Sequence, residues 1–573
     1  MLKRLEYRGY DSAGIAYISN KKVLVTKDKG RIRELEKKVH PEKISFSLGI
    51  AHTRWATHGI PSKENAHPHS DCKNNFAVVH NGIIEDYKPL KKKLIQKGHK
   101  FSSETDTEVI AHLIEDYYRG NFEEAFLKAI RELRGGFAIA VISSYDPDKI
   151  LIARNESPLI VGLGQGENFI ASDVPALLPK TKRIIILEDF EYGMVKKGKV
   201  VIKNIKTGKE VKKKIHQVRW DVEEAEKGGY KHFMLKEIHE EPKAVRNALK
   251  EREKIKEVSK KISKKPRIYW VACGTAWHAT LVGKYLLERF GISSEAVIGS
   301  EFRYSTVNTL DKNCAVISVS QSGETTDTIA SVKEAKKRGS FIISIVNVLG
   351  STLTRTSDEN IYLYAGPEIA VASTKAYLGQ LTSVTLLALY IAKERGKLSN
   401  EKLNELLTEL EKIPKKIETI LGDEKKIKKL AEKFYQKKIF FYIGRRLSYP
   451  TALEGALKIK EISYVHAEAY PAGEMKHGPI ALLEAGVPVI AISPQGELNE
   501  KMDSNVQEAK ARKASVVVVS EKNGSDFAVP SINPLLSPLI YIVPLHLFAY
   551  YLSLLKGIDP DKPRNLAKSV TVE

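Results

Sequence analysis

The sequence predicts an α+β domain followed by two copies of a doubly wound α/β domain. Three observations point to this. Up to about Lys206, short alternating or apolar strand-like runs are interrupted by helical segments, the pattern of an α+β domain with antiparallel strands. From Pro266 onward, near-continuous apolar strands alternate with helices, as in parallel sheets covered on both faces. Within that second region the chain repeats itself: Ala315–Thr325 aligns with Pro488–Leu498. The strands before (Ile268–Ala272, Ile439–Ile443) and after (Phe341–Val346, Ser515–Val519) keep nearly the same spacing. Three strands in register make two copies of one α/β unit the economical explanation.

Taken in order, the first region reads as strands over Leu48–His52, Phe76–His80, Phe137–Ile142, Lys149–Ala153 and Arg183–Leu187, with helices over Glu85–Lys97, Thr107–Tyr118 and Glu123–Arg134. A Lys/Gly-rich passage, Lys196–Lys214, closes it, and Trp220–Lys250 reads as a connector leading into a helix. Further on, Glu401–Lys438 interleaves lysines with glutamates along amphipathic stretches, as solvated helix faces do. Ser531–Leu555 lacks Asp, Glu, Lys and Arg, yet contains Pro534, Pro538 and Pro544. It reads as a buried strand, Leu539–Val543, followed by a helix starting at Pro544, rather than as a membrane span.

Composition narrows the function. A chain of 573 residues suggests three or four domains at ~150 residues each. With 42% hydrophobic and 28% charged residues it is outside the disordered regime. Cys72, Cys273 and Cys314 cannot form a disulfide framework and match no zinc spacing, so a reducing, cytoplasmic setting without a bound metal is expected. Met1–Glu6 carries no apolar run, so no secretory leader is expected. The net charge of +22 comes with no nucleic-acid motif, and attraction of anionic small molecules fits it.

The motifs carry the chemistry. Ser320-Gln-Ser-Gly-Glu-Thr325 follows a buried strand and opens a helix. Hydroxyls of Ser320, Ser322 and Thr325 meet backbone N–H groups there without a lysine, a turn suited to a phosphate monoester; the plain alternative is a serine-rich helix cap. The second copy reads Ser493-Pro-Gln-Gly-Glu-Leu498, with two hydroxyls gone and a proline removing an N–H, so it is expected to keep the fold only. Cys273-Gly274-Thr275 ends the first strand of copy one, where doubly wound folds place ligands; Cys273 reads as a small buried residue before a nucleophile. Glu454, Lys458 and Glu461 fall on one helical stripe. Such a stripe is commonly an exposed salt-bridged face, but here it follows Gly444 at a strand end and could shuttle a proton between adjacent sugar carbons. His477, in the glycine- and proline-bounded turn Gly473–Pro479, is the residue type for opening a sugar ring. In the first region, Ala51–Gly59 and His80–Gly82 each follow a strand. Arg54 suits a substrate carboxylate, Asp106 an amino group, and Asn81 with Gly82 an oxyanion hole.

These motifs, in this order, resemble the family of isomerising glutamine–fructose-6-phosphate aminotransferases, from Leu5–Gly14 through His52–Gly59 to the tail Asn565–Glu573. The resemblance implies a glutaminase domain of the N-terminal-nucleophile type followed by two SIS domains. The implied bounds are 1–206, a linker 207–240, SIS domains 241–400 and 401–556, and an active-site tail 557–573. It implies that glutamine is hydrolysed in the first domain and its ammonia carried through a channel to fructose 6-phosphate, giving glucosamine 6-phosphate, the first step of hexosamine synthesis. Arg54, Trp55, Thr57, His58, Asn81, Gly82 and Asp106 would bind glutamine or line its site, with Trp55 gating the channel. Thr275, Ser320, Gln321, Ser322, Thr325, Val371 and Ser373 would hold the sugar phosphate. Glu461 would be the proton-transfer base, His477 the ring-opening residue donated across a homodimer interface, and Lys568 the tail lysine at the sugar carbonyl. Small-molecule substrates are implied, with no cofactor, nucleic acid or membrane.

Two departures follow. The family's serine after Cys-Gly-Thr is Ala276 here, one hydroxyl fewer, worth about 1 kcal/mol of phosphate affinity. Family members also expose a mature N-terminal cysteine as nucleophile, and this sequence opens Met1-Leu2. Cys72 is no substitute, since it lacks the α-amine that activates the thiol. The chain as written is therefore expected not to hydrolyse glutamine, either because its true start lies upstream, the favoured expectation, or because it uses free ammonia. A sugar-phosphate isomerase or deaminase and a phosphosugar-sensing protein are the competing readings.

Overall fold

The computed structural model describes residues 1–39, 46–55, 58–218, 226–522 and 524–570. The chain forms two compact units, Met1–Ala225 with Ser569–Glu573, and Glu226–Lys568.

In the first unit, β1 (Ser12–Ser19), β2 (Lys22–Lys29) and β3 (Gly49–Arg54) form an antiparallel sheet in the order β2-β1-β3. Strands β4 (His69–Ser70), β5 (Phe76–Ile84), β6 (Gly135–Ser143), β7 (Lys149–Asn155), β8 (Ile160–Leu163), β9 (Asn168–Ala171), β10 (Arg183–Ile186), β11 (Glu191–Lys196), β12 (Lys199–Asn204) and β13 (His216–Gln217) follow. They build a six-stranded sheet, β12-β11-β7-β6-β5-β4, and a four-stranded one, β13-β10-β8-β9, also antiparallel. Helices Tyr87–Gln96, Glu108–Tyr117 and Phe122–Glu132 contribute Leu94, Val109, Ile110, Leu113 and Phe126 to the core over one face of the larger sheet, against Phe76, Val78 and Ile139. Two expectations need correction. His80–Gly82 does not follow a strand: β5 runs on through Ile84, because Gly82, at φ +123°, bends the backbone while its register with Phe137 continues. A Cβ at Gly82 would lie 2.0 Å from the Gly136 carbonyl oxygen. Likewise Ala51–Arg54 sits inside β3, paired with Ser12–Ile15 of β1. The Lys/Gly-rich passage also contains β12, which pairs fully with β11.

The second unit contains the repeat. Strands β14 (Arg267–Ala272), β15 (Glu295–Ile298), β16 (Cys314–Ser320), β17 (Phe341–Val346) and β18 (Glu359–Tyr362) form a parallel sheet in the order β15-β14-β16-β17-β18. Strands β19 (Ile439–Gly444), β20 (His466–Pro471), β21 (Pro488–Ile492), β22 (Ser515–Ser520) and β23 (Phe527–Ala528) repeat it as β20-β19-β21-β22-β23. All seven residues of β16 and all five of β21 are buried, as the apolar runs require when helices cover both faces. In each copy the strand order reverses between the first and third strands, which opens a crevice at their carboxyl ends.

The segment expected as a strand, Leu539–Val543, is helical: Pro538–Tyr541 and Val543–Leu555 are consecutive helices, each with a proline in its first turn. A short apolar run does not tell a buried strand from a buried helix, and prolines at helix starts suit the second. Pro538–Leu555 is long and apolar enough for a membrane span, but 83% of it is buried inside the protein, packed in one core with the helix Lys375–Glu394.

Candidate active site

In the first unit, a cavity of about 960 Å³ is lined by Arg54, Trp55, Asn81, Gly82 and Asp106, five of the seven residues expected to bind glutamine. Arg54 ends β3 and is buried; its Nη2 donates to the carbonyls of His58 and of Gly59, the latter at 3.2 Å. Its Nη1 is buried with no partner among the described residues, so one arm of the fork is committed to the loop and the other is left unsatisfied. Asp106 precedes the helix Glu108–Tyr117 and its Oδ2 accepts the Ile84 N–H at 2.8 Å. On Asn81, Oδ1 is 2.8 Å from His52 Nε2. Burial pushes His52 down to about 4, so its neutral ring donates there and fixes which end of the amide is the donor. The His58 ring does not line the cavity; it packs edge-on against Tyr87. Thr57 lies outside the described residues. Among the described residues lining the cavity there is no cysteine.

The residue pattern did not reveal the histidine cluster of this wall, of which His52, His67 and His80 line the cavity. His52 stacks on His67 with ring centroids 4.3 Å apart, His67 meets His69 at 4.8 Å, and His80 Nδ1 lies 2.9 Å from Thr107 Oγ1. Burial holds all four below their ordinary range.

In the second unit, the turn Ser320–Thr325 lies at the carboxyl end of β16, where the strand order reverses, and Thr325 immediately precedes the helix Thr326–Lys337, its hydroxyl turned to Ser320 rather than to the helix start. Ser320 Oγ accepts the Gly323 N–H at 3.0 Å and lies 3.1 Å from Thr325 Oγ1; Ser322 Oγ accepts the Glu324 N–H at 3.1 Å. The hydroxyls are thus oriented by the turn's own backbone. Glu324 turns away and accepts the Thr352 N–H at 2.8 Å. The Gln321 carbonyl accepts the Asn347 N–H at 3.1 Å, which anchors the turn to the next strand's end.

Thr275 is engaged elsewhere. Its hydroxyl donates to Glu454 Oε1 at 3.0 Å and accepts from Lys458 Nζ at 3.1 Å, so it joins the first copy's helix Gly274–Arg289 to the second copy's helix Ser448–Ser463. Its single hydroxyl proton is spent on Glu454 rather than on a phosphate. Glu454 Oε2 also meets His278 Nδ1 at 2.6 Å. Burial alone would raise the Glu454 carboxyl, but Lys458 and His278 outweigh it and hold it at about 2. Burial works equally against the charge on Lys458, yet Glu454 and Glu461, at 3.1 and 2.6 Å, raise it above the ordinary lysine range. Glu454 and Lys458 are fully buried, whereas the Glu461 side chain keeps 21% exposure. Only the last carboxylate of the stripe can meet a ligand.

Lys568 is nearly buried. Its Nζ lies 2.5 Å from Glu368 Oε2 and 2.8 Å from the Ala370 carbonyl. Glu368 also accepts from Ser373 Oγ and from the N–H groups of Thr374 and Ala376, all at 3.0 Å. The Val371 N–H donates to the Asp561 carbonyl at 3.2 Å, and the Asp561 carboxylate caps the helix Phe233–His239. Ser373 and Lys568 therefore belong to one assembly organised by Glu368, while Val371 is tied to the tail through Asp561. Glu237 supports it from beneath, accepting the Ile369 and Ala370 N–H groups; burial and the nearby Glu368 push Glu237 up to about 8. Glu368 is the only charged residue between Ile361 and Thr374, a readable sign of a buried, partnered carboxylate. Cys273 sits at a helix start, where burial raises its thiol, unlike an activated nucleophile. His477 is exposed, in the turn Ala472–His477, and among the described residues no hydrogen bond or ion pair joins it to the other candidates. In the second copy, Pro494, Gln495 and Gly496 border a cavity of about 630 Å³ with Arg445 and Arg446.

Known proteins resemble this chain along its whole length. Residues 52–179 match the model of the glutamine amidotransferase domain, and residues 261–390 and 433–552 match that of the SIS domain. The glutamine–fructose-6-phosphate aminotransferase [isomerizing] of Thermococcus kodakarensis is 52% identical, covering all of this chain and 97% of that relative; the protein of the same name from Pyrococcus horikoshii is 51% identical over the same shares. The C-terminal domain of the glucosamine-fructose-6-phosphate aminotransferase of Francisella tularensis superposes with a TM-score of 0.56 at 37% identity, over 59% of this chain and all of that one. The chain belongs to the family of isomerising glutamine–fructose-6-phosphate aminotransferases, a glutamine amidotransferase domain followed by two SIS domains.

Proposed function

We propose that the protein converts fructose 6-phosphate and glutamine into glucosamine 6-phosphate and glutamate, the first step of hexosamine synthesis. One observation carries the reading: the bond from Thr275 to Glu454, which ties the copy bearing the hydroxyl turn to the copy bearing the proton-transfer stripe. In this reading Arg54 Nη1 takes the glutamine α-carboxylate, Asp106 the α-amino group, and Asn81 with Gly82 the developing oxyanion. Ser320, Ser322 and Thr325, with the helix start behind them, hold the sugar phosphate. Gln321, Val371 and Ser373 border the sugar, and Glu461 moves the proton between C1 and C2. Glu454 and Lys458 act through Glu461 as positioning residues. Lys568 must leave Glu368 to reach the sugar carbonyl. His477, exposed on its own chain, opens the sugar ring in the site of a second copy, so the working form is a homodimer. The three cysteines are free thiols, which fits action in the cytoplasm on small molecules.

A second reading is synthesis from free ammonium at the same sugar site. Assaying glucosamine 6-phosphate with glutamine and with ammonium separates the two. For a chain extended upstream to carry the family's N-terminal cysteine, the proposal expects glutamate and glucosamine 6-phosphate in equal amounts from glutamine. Product from ammonium alone leaves the ammonia reading, and no product from either overturns both. Replacing Ser322 and Thr325 by alanine should raise the KM for fructose 6-phosphate roughly 30-fold, at about 1 kcal/mol per lost hydrogen bond; an unchanged KM would remove the phosphate turn from the mechanism.

A further inference from the structure

Away from both sites, four side chains from three segments of the first unit converge. Cys72 follows β4, His99 follows the helix Tyr87–Gln96, and His112 and Glu115 stand one turn apart on the helix Glu108–Tyr117. Cys72 Sγ lies 3.7 Å from His99 Nδ1 and 3.6 Å from His112 Nδ1. Glu115 Oε2 lies 3.0 Å from the first of these nitrogens and 3.5 Å from the second. One donor atom from each of the four residues lies within 4.8 Å of all the others.

We propose that Cys72, His99, His112 and Glu115 bind a zinc ion in a tetrahedral site with four protein ligands. Zinc bonds of ~2.0–2.1 Å to nitrogen, ~2.3 Å to sulfur and ~2.0–2.2 Å to oxygen give a tetrahedron with edges of roughly 3.3–3.7 Å. The four distances above need to change by no more than a few tenths of an ångström. A plain hydrogen-bond cluster accounts for the two contacts to Glu115, but poorly for two imidazole nitrogens meeting at a sulfur, a weak acceptor. One thiolate, two imidazoles and one carboxylate form a borderline donor set that suits zinc and its neighbours and excludes calcium and magnesium.

The surroundings fit the same reading. Each imidazole offers Nδ1 to the centre and turns Nε2 toward a carboxylate: His112 to Glu108 at 3.7 Å, His99 to Asp116 at 3.9 Å. Such outer carboxylates orient metal-bound histidines. Glu108 is itself fixed by the N–H and hydroxyl groups of Ser102 and Ser103, at 2.6–2.8 Å, and Asp116 by Lys97 at 2.5 Å. The Lys100 N–H points at Cys72 Sγ from 3.4 Å, the contact a thiolate takes. Cys72 is exposed, so an ion enters from solvent. Binding releases the thiol proton, and any proton on the ligating imidazole nitrogens, to water, with no change of oxidation state. Four protein ligands leave no open position, so the site is structural: it pins the helix Glu108–Tyr117, whose leading loop carries Asp106. Three segments supply the ligands, which is why cysteine spacing alone points to no metal.

The test uses the full chain, stripped with a chelator and titrated with Co2+ as a spectroscopic stand-in. One equivalent per chain should produce the visible bands of tetrahedral Co2+ and a thiolate charge-transfer band, and one equivalent of Zn2+ should abolish both. Cys72→Ser, at an exposed position, should lose the charge-transfer band while its metal-free unfolding temperature stays unchanged. His99→Gln should weaken Co2+ binding more than tenfold, since even outer-shell losses cost 10–100-fold. Zn2+ should raise the unfolding temperature of the stripped wild type and not that of Cys72→Ser. Failure to bind Co2+, or bands that persist unchanged in Cys72→Ser, would overturn the proposal.

Discussion

Glu454, Lys458 and Glu461 share one helical stripe, yet burial gives them different work. Glu461 alone keeps solvent contact, so Glu461→Gln, which preserves shape, should lower kcat for glucosamine 6-phosphate formation by roughly 10²–10⁴-fold. Fructose 6-phosphate affinity, read by calorimetry, should not change; an unaltered kcat would exclude Glu461 as the base. Lys458→Met should instead act on stability. It strands the Glu454 carboxylate in the interior, a loss of about 3–5 kcal/mol in a denaturant titration, and adding Glu454→Leu should recover most of it. The stripe was readable from its spacing, because helical periodicity is local. Thr275's commitment to Glu454 was not readable, because it depends on how one copy packs on the other.

At the scale of elements, the turn Ser320–Thr325 depends on Gly323. Its φ is +66°, and an added Cβ would lie 2.1 Å from Ser351 Oγ, at the start of the next helix. Gly323→Ala should therefore cost about 1–3 kcal/mol through backbone strain alone, seen as a lower unfolding temperature. It should also raise the KM for fructose 6-phosphate, because the Gly323 N–H is what orients Ser320. Strand–turn–helix units of this kind were legible because an apolar run, a glycine and a hydroxyl cap each leave a local mark. Leu539–Val543 was misread because five apolar residues carry no period that separates strand from helix. The apparent turn at His80–Gly82 was misread because a glycine that ends pairing looks, in sequence, like one that bends a strand and keeps pairing.

For the whole molecule, the repeat was visible from three aligned strands, and the shared sheet order follows from it. The histidine wall of the first unit was not visible, since His52, His67, His69 and His80 meet only once β3, β4 and β5 are assembled. It sets the acid limit of that unit. His52 titrates near pH 4 when folded and near 6.5 when unfolded. Between these values the unfolded chain binds more protons, so stability is complete above pH 6.5 and falls as pH drops toward 4. His52 alone accounts for about 3 kcal/mol, and the other three buried rings act in the same direction. Calorimetry from pH 7.5 to 4.5 should show the first unit's transition moving to lower temperature while His52→Asn flattens the slope; a transition independent of pH would contradict the buried neutral rings.

Glu368 serves two distant stretches of chain at once, gathering the backbone around Ser373–Ala376 and gripping Lys568. If the lysine leaves this pair, as the proposed mechanism requires, the carboxylate faces the interior without its cation and its hold on the neighbouring loop must readjust. In that reading, departure of the tail and loosening of the Ser373–Ala376 loop would be a single event, and its reversal after each turnover would reset both together.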